Sequence, residues 1–181
     1  KTTLVRALCA EIPKHEAIGT FETEYELHLH ELREQHPIVF AWEARPGSGE
    51  RGPDGRQAGE FTLSEALFDS FRFNLSRQIV GEVRGHEILA MLKAMESGAG
   101  SISTTHAPSA EGAIGKLVTC AMEAGPHVTH DYAVRAIASA IDVFPAPFRP
   151  DTVMLRPPTS SSRLRIPLKL RMTSRSSLIA A

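Results

Sequence analysis

Hydrophobic and polar positions follow two different patterns along residues 78–106, and together they predict a strand, a helix and a second strand. The short apolar run Ile79–Val80, bounded by Gly81, indicates a buried strand. Residues 88–95 then carry apolar side chains at helical spacing, and the glycines that follow are expected to end this helix. Residues 101–105 form the second predicted strand. A strand–helix–strand unit of this kind belongs to a parallel sheet.

An ionisable residue stands at the end of each of these predicted strands. Glu82 ends the first strand, and His106 ends the second. Because ligands of parallel sheets bind beyond the carboxyl ends of the strands, we expect both side chains to face one cleft. The alternatives are that each residue is a solvated surface group, or that Glu82 forms a salt bridge with Arg84.

The remaining segments extend the same alternation of helices and strands. A glycine-rich stretch at 47–59 is predicted to be a flexible hairpin loop. Thr62 or Ser64 is expected to cap one helix, with Glu65 in its first turn. The predicted class is therefore α/β, with a largely parallel sheet flanked by helices. Further helices are predicted at 2–10, 61–73, 108–122 and 132–141, and further strands at 17–22 and 37–42.

The first residues of the chain carry a candidate phosphate-binding motif. Lys1, Thr2 and Thr3 precede an apolar helix and match the end of the pattern G-x-x-x-x-G-K-[ST]. In that motif the helix N-terminus holds phosphates, the lysine contacts the β- and γ-phosphates, and the hydroxyl holds Mg²⁺. The glycines of the motif would lie before Lys1. Together with Glu82 and His106, these residues predict a nucleotide site with three parts.

Four segments taken together resemble one protein family. KTTLVRAL, TFETEYELHL, QIVGEVRG and STTHA resemble the type II/type IV secretion ATPases, and most nearly the CpaF-like ATPases of tight-adherence pilus assembly. The resemblance extends from Lys1 to about Asp142 and covers only the C-terminal ATPase half of such a protein. It implies that residues 1–142 form a RecA-like P-loop NTPase core.

The resemblance also assigns an acidic residue to the site. Residues 20–27 match the family's acidic box, T-I-E-D-x-x-E-L, with Glu22 on its first glutamate. A carboxylate near the γ-phosphate can hold the Mg²⁺ shell or orient the attacking water. Thr23 stands where the family has aspartate, which puts in question any role that needs a carboxylate there. The alternative interpretation of this segment is a solvated acidic edge.

Three arginines match positions of the family pattern. Arg45 falls on the arginine of the motif L-E-x-R-P, and the resemblance makes it a nucleotide-binding candidate. Arg72 and Arg77 match two arginines that precede the strand ending in Glu82. Guanidinium groups here could neutralise phosphate charge, including that of nucleotide bound to a neighbouring subunit. Surface ion pairs are the alternative for Arg72 and Arg77.

The resemblance implies ATP hydrolysis that powers pilus assembly or protein secretion in a homo-hexameric ring. In this interpretation Lys1, Thr2 and Thr3 hold the phosphates, with Thr2 and Glu22 at Mg²⁺, partly through water. Glu82 polarises the attacking water, and His106 contacts the γ-phosphate. The expected partners are platform proteins of the inner membrane, which places the protein in the cytoplasm at that membrane. The alternative function is a catalytically defective fragment or pseudo-ATPase that serves as an assembly subunit.

Composition separates the chain into two parts. Residues 143–181 carry seven basic residues and one acidic residue, and they are rich in proline and serine. This composition predicts a disordered or non-native tail, and its lack of interleaved aromatics argues against nucleic-acid binding.

No apolar run approaches the length of a membrane span. Isolated Cys9 and Cys120 predict reduced core residues. His28 and His30 form a His-x-His pair, but the sequence shows no evident third metal ligand.

Overall fold

The computed structural model describes residues 2–97 and 100–141. Lys1, Asp142 and the predicted tail at 143–181 lie outside the described residues. The part of the chain that is described contains a four-stranded sheet, five α-helices and a short 3₁₀ helix. The strands are β1 (Ile18–Glu22), β2 (Val39–Glu43), β3 (Arg77–Val83) and β4 (Gly100–Thr105), and the 3₁₀ helix is Leu29–Glu31. The helices are α1 (Thr2–Cys9), α2 (Leu63–Ser70), α3 (Ile88–Glu96), α4 (Ala110–Met122) and α5 (His130–Ala140).

The sheet has the strand order β2–β1–β3–β4, and every pairing in it is parallel. This arrangement confirms the predicted α/β class. The central strands β1 and β3 are covered on both faces, as parallel strands usually are. Ile18, Phe21, Ile79 and Val80 are each at most 1% exposed. Period-two alternation along these strands therefore supplies two hydrophobic cores rather than one.

The two cores lie on opposite faces of the sheet. Helices α2 to α5 pack against the face that carries Phe21 and Val80. Helix α1 and the 3₁₀ helix pack against the face that carries Ile18 and Ile79. The start of α1 and the carboxyl ends of the strands consequently meet at one edge of the sheet, where the candidate site lies.

Helix α2 begins at a capping box. The Thr62 hydroxyl accepts a hydrogen bond from the Glu65 N–H, and the Glu65 carboxylate accepts one from the Thr62 N–H. These two bonds satisfy backbone donors that a helix start would otherwise leave free. The structure therefore selects Thr62 over Ser64 as the cap.

Several apolar side chains at helical spacing are exposed. Phe71, Ile114 and Met122 are 39%, 37% and 43% exposed, although their spacing places them on the apolar stripes of the helices predicted at 61–73 and 108–122. The reason is that apolar periodicity predicts a face wider than the neighbouring elements cover. Helix α4 is buried instead through Leu117 and other small or apolar residues that face α5.

The segment after β1 turns back before it enters the 3₁₀ helix. Residues 23–28 connect β1 to Leu29–Glu31, and His28 has a left-handed conformation at φ 50° and ψ 30°. Hydrogen bonds between one side chain and the backbone account for this turn, and hydrophobic periodicity does not encode them. One carboxylate oxygen of Glu22 accepts hydrogen bonds from the N–H groups of Glu26 and Leu27, which bends the chain back on β1.

Candidate functional site

A cleft of about 230 Å³ lies at the carboxyl ends of β1 and β3, next to the first turn of α1. Its position is the one where parallel sheets bind ligands. The structure brings four of the predicted site residues into this cleft from separate parts of the chain. They are Thr2, Glu22, Glu82 and His106.

Glu82 lies where the ladder between β3 and β4 is irregular. The residue pairs Val80–Ser103 and Val83–Thr105 leave one extra residue on β3. Such an irregularity re-aims side chains, and it is common beside active sites. Glu82 is only 14% exposed, and its Oε1 lies 3.3 Å from Nε2 of His106. The expectation that Glu82 and His106 face one cleft is therefore confirmed.

Arg84 is the second partner of the Glu82 carboxylate. Its Nη2 and Nε donate to Oε2 of Glu82 at 2.7 and 2.9 Å. The hydrogen bonds to Glu82, and then its charge, raise the pKa of Arg84 above the usual guanidinium range. The salt bridge that the sequence offered as an alternative for Glu82 is thus present, and it coexists with the His106 contact.

Glu22 presents a buried carboxylate whose two oxygens have different surroundings. The side chain is 3% exposed and lines the cleft. Its Oε2 accepts the N–H groups of Glu26 and Leu27 at 2.8 and 2.9 Å. Its Oε1 is buried and has no hydrogen-bond partner among the described residues. A buried oxygen in this state is costly unless a cation or water satisfies it, so this side chain fits an oxygen ligand of a Mg²⁺ shell.

Gly81 gives the Glu22 side chain its space. A Cβ atom at position 81 would lie 3.1 Å from Cγ of Glu22, so a larger residue would displace the carboxylate. Thr104 also lines the cleft, and its hydroxyl donates to the carbonyl of Gly81. From the sequence, Gly81 was only a strand boundary, and no pattern pointed to Thr104. Both residues are close in sequence to Glu82 and His106, at the ends of two neighbouring strands, and this position is the signal that could have identified them.

Of the phosphate-motif residues that the structure describes, Thr2 lines the cleft and Thr3 does not. Thr2 begins α1, lines the cleft and donates its hydroxyl to Oε2 of Glu26 at 2.9 Å. Thr3 is exposed and does not line the cleft. Lys1 lies outside the described residues. Glu26 was assigned no role in the site from the sequence, although it falls on the second glutamate of the acidic box.

The predicted arginines do not enter this cleft. Arg45 lines a separate cavity of about 850 Å³, where its Nε donates to the carbonyl of Gly59. Arg77 is the first residue of β3, at the opposite edge of the sheet from Glu82, and it pairs with Glu16 at 2.8 Å. Arg72 precedes the same strand and is exposed. The ion-pair alternative is therefore observed for Arg77.

Comparison with known families decides the assignment. The family model for "Type II/IV secretion system protein" matches residues 1–146. The chain belongs to this family. The assignment confirms the resemblance that the four sequence segments indicated, at the level of the secretion ATPase family.

A curated relative supports the same assignment. The "Type IV secretion system protein PtlH" of Bordetella pertussis is 34% identical over 124 residues, which are 68% of this chain and 34% of that protein. An uncharacterized protein of Methanocaldococcus jannaschii is 32% identical over 117 residues, covering 65% of this chain and 39% of that protein. The chain thus spans only a little over a third of the length of these two relatives.

Two solved structures of ATPases share the fold. The VirB11 ATPase of the Brucella suis type IV secretion system, in complex with sulphate, aligns with a TM-score of 0.62 at 26% identity. That alignment covers 78% of this chain and 39% of the other. The Legionella pneumophila ATPase DotB aligns with a TM-score of 0.53 at 18% identity, over 77% and 34% of the two chains, and shows likeness of fold alone.

Across the described residues, no helix is both long enough and apolar enough to cross a bilayer.

Proposed function

We propose that this chain is the nucleotide-hydrolysing part of a secretion or pilus ATPase. The observation that carries the proposal is the cleft in which Glu22, Glu82 and His106 meet the first turn of α1. Family membership supports it, and so does the Brucella VirB11 ATPase, which aligns at 26% identity. ATP and Mg²⁺ are the proposed cofactors.

The start of α1 is the proposed phosphate end of the site. Backbone N–H groups and the helix dipole favour anions at this position, with Lys1, Thr2 and Thr3 as the motif residues. The Thr2 hydroxyl and Oε1 of Glu22 are the oxygens that would hold Mg²⁺, Glu22 partly through water. Bound there, the ion would neutralise charge on the phosphates.

Glu82 is the proposed base that orients and deprotonates the attacking water. Its Oε1 faces His106, while Arg84 occupies Oε2. The Arg84 guanidinium, 2.7 Å from Oε2, places a positive charge beside this carboxylate and leaves Oε1 directed at His106. His106 is 70% exposed at the mouth of the cleft, where it can contact the γ-phosphate. Most of the catalytic gain would come from positioning and electrostatics.

The arginines are proposed to act between subunits. Arg77 lies at the amino edge of the sheet, so within one chain it is remote from Glu82, and Arg72 is exposed in the segment before the same strand. A head-to-tail ring places different edges of successive subunits together, and in a homo-hexamer these arginines would face a neighbouring site. Arg45 would contact nucleotide from the second cavity. Such a ring would work in the cytoplasm against platform proteins of the inner membrane.

A second candidate function is an assembly subunit that does not hydrolyse ATP. It is favoured by Thr23, which replaces the aspartate of the acidic box, and by the Arg84 salt bridge to Glu82. In this case the cleft would be a structural ion-pair network.

The function is tested by Mg²⁺-dependent ATP hydrolysis in a chain extended at its N-terminus with the glycines of the phosphate loop. Glu22→Gln is expected to raise the Mg²⁺ concentration for half-maximal turnover about 10–100-fold, as loss of an outer-shell partner does. Glu34→Gln, at an exposed position, is the matched control and should leave this concentration unchanged. An unchanged Mg²⁺ requirement in Glu22→Gln, or no turnover in the extended wild-type chain, would favour the assembly subunit.

A further inference from the structure

Outside the cleft, three potential metal ligands converge at the 3₁₀ helix. We propose that His28, His30 and Glu31 form a binding site for a divalent transition metal of the Zn²⁺ class. The sequence showed a His-x-His pair with no evident third ligand, and the structure brings Glu31 beside this pair. Because the segment folds as a 3₁₀ turn, residues three apart lie over one another, which brings Glu31 to His28.

The distances suit a metal centre. One ligand atom from each of His28, His30 and Glu31 can be chosen so that all three lie within 4.8 Å of one another. Nδ1 of His28 is 3.2 Å from Oε1 of Glu31, and Nε2 of His30 is 3.9 Å from the same oxygen. Bonds of about 2.0–2.2 Å in a tetrahedral zinc site keep ligand atoms roughly 3.3–3.5 Å apart. The His28–Glu31 distance is about 0.1 Å shorter than this separation, and the distance from Nε2 of His30 to the same oxygen is about 0.5 Å longer.

The surroundings select which nitrogen of His30 is available. Its Nδ1 is buried without a hydrogen-bond partner in the part of the chain described, so Nε2 is the nitrogen that faces the other ligands. The Tyr25 ring packs 4.8 Å from the imidazole, centroid to centroid, and limits its rotation. The ring orientation that a ligand needs is therefore partly set before any metal binds.

The donor set points to the class of metal. Two imidazoles and one carboxylate suit Zn²⁺, Ni²⁺ or Cu²⁺, whereas Mg²⁺ and Ca²⁺ prefer oxygen ligands alone. The side chains of His28, His30 and Glu31 are 42%, 32% and 63% exposed, which leaves a fourth position open to water. The inference rests on residues 25–31 alone and does not depend on the proposed ATPase activity.

The test is a Zn²⁺ titration of the chelator-treated chain by calorimetry, together with thermal melting and NMR of the histidine rings. We expect one Zn²⁺ per chain, with the ring resonances of His28 and His30 shifting. Above the dissociation constant, Tm should rise by about 3–5 °C for each tenfold increase in free Zn²⁺.

Variants separate this site from the other histidines. Glu31→Ala and His28→Asn are expected to weaken Zn²⁺ binding on the order of 100-fold. Asparagine tolerates the left-handed backbone at position 28, so the second variant should keep its fold. His130→Ala is the matched control, because His130 forms an exposed pair with Asp131 at 3.7 Å.

Three results would overturn the proposal. One is equal Zn²⁺ affinity in the wild type and in the folded His28→Asn variant. Another is loss of binding in His130→Ala, which would place the ion elsewhere. Wild-type histidine resonances that stay unmoved by Zn²⁺ would overturn it even if a variant failed to fold.

Discussion

At the scale of single residues, the Glu82 carboxylate has two partners, and their separate contributions can be measured. Arg84 is 65% exposed, so its salt bridge is largely screened by solvent. We predict that Arg84→Ala lowers the free energy of unfolding by about 0–1 kcal/mol, as exposed ion pairs do. Urea denaturation measures the change. A loss above about 2 kcal/mol would show that the pair is a structural element, and it would support the assembly-subunit alternative.

A second residue-scale prediction concerns Cys9. Burial, and then the charge of Glu22, raise the pKa of this thiol to about 12. The folded chain therefore keeps the thiol proton at a pH where the unfolded chain, with an ordinary pKa near 9, has lost it. Stability is fully present below pH 9 and falls as pH rises from 9 toward 12, by up to about 1.4 kcal/mol per pH unit.

The measurement for Cys9 is the free energy of unfolding as a function of alkaline pH. Cys9→Ala removes this group while leaving the other alkaline titrations in place, so its stability should fall less steeply above pH 9. Equal slopes in the two proteins would contradict the assigned environment. Both cysteines, including buried Cys120, should also resist thiol reagents until the chain unfolds.

At the scale of elements, the capping box of α2 gives a prediction with an internal control. Thr62→Ala removes the hydroxyl that accepts from the Glu65 N–H, and it should cost about 1 kcal/mol of unfolding free energy. Ser64→Ala, two residues later and inside the helix, should change stability by only a few tenths of a kcal/mol. Urea midpoints of the two variants compare them directly, and a larger loss from Ser64→Ala would contradict the assigned cap.

The elements also show what the sequence could predict. The buried runs of β1 and β3, the helical spacing in α3 and the Thr62 signature are local patterns, and the structure contains the elements they predict. The turn after β1 was beyond such reasoning, because it depends on the Glu22 carboxylate accepting two backbone donors. For the same reason Glu31 was missed as a neighbour of His28: only the 3₁₀ turn brings the two together.

At the scale of the whole molecule, strand order determines which residues share a site. The sequence predicted a parallel sheet, and hence that Glu82 and His106 would meet at one edge. It contained no local signal for the order β2–β1–β3–β4, which places Glu22 beside Gly81 and Glu82. The same topology sends Arg77 to the opposite edge, where it pairs with Glu16. Any action of Arg77 at a nucleotide therefore requires a second subunit.

Hydrolysis of ATP in the cleft at the carboxyl edge of the sheet is tested most directly by Glu82→Gln. The change keeps the size and hydrogen-bonding shape of the side chain but removes the proton-accepting charge. In the chain extended with the phosphate-loop glycines, turnover should fall about 10²–10⁴-fold, or roughly 3–5 kcal/mol of barrier, while ATP affinity barely changes. A folded Glu82→Gln protein that binds ATP and turns it over at nearly the wild-type rate would contradict the proposed role of Glu82.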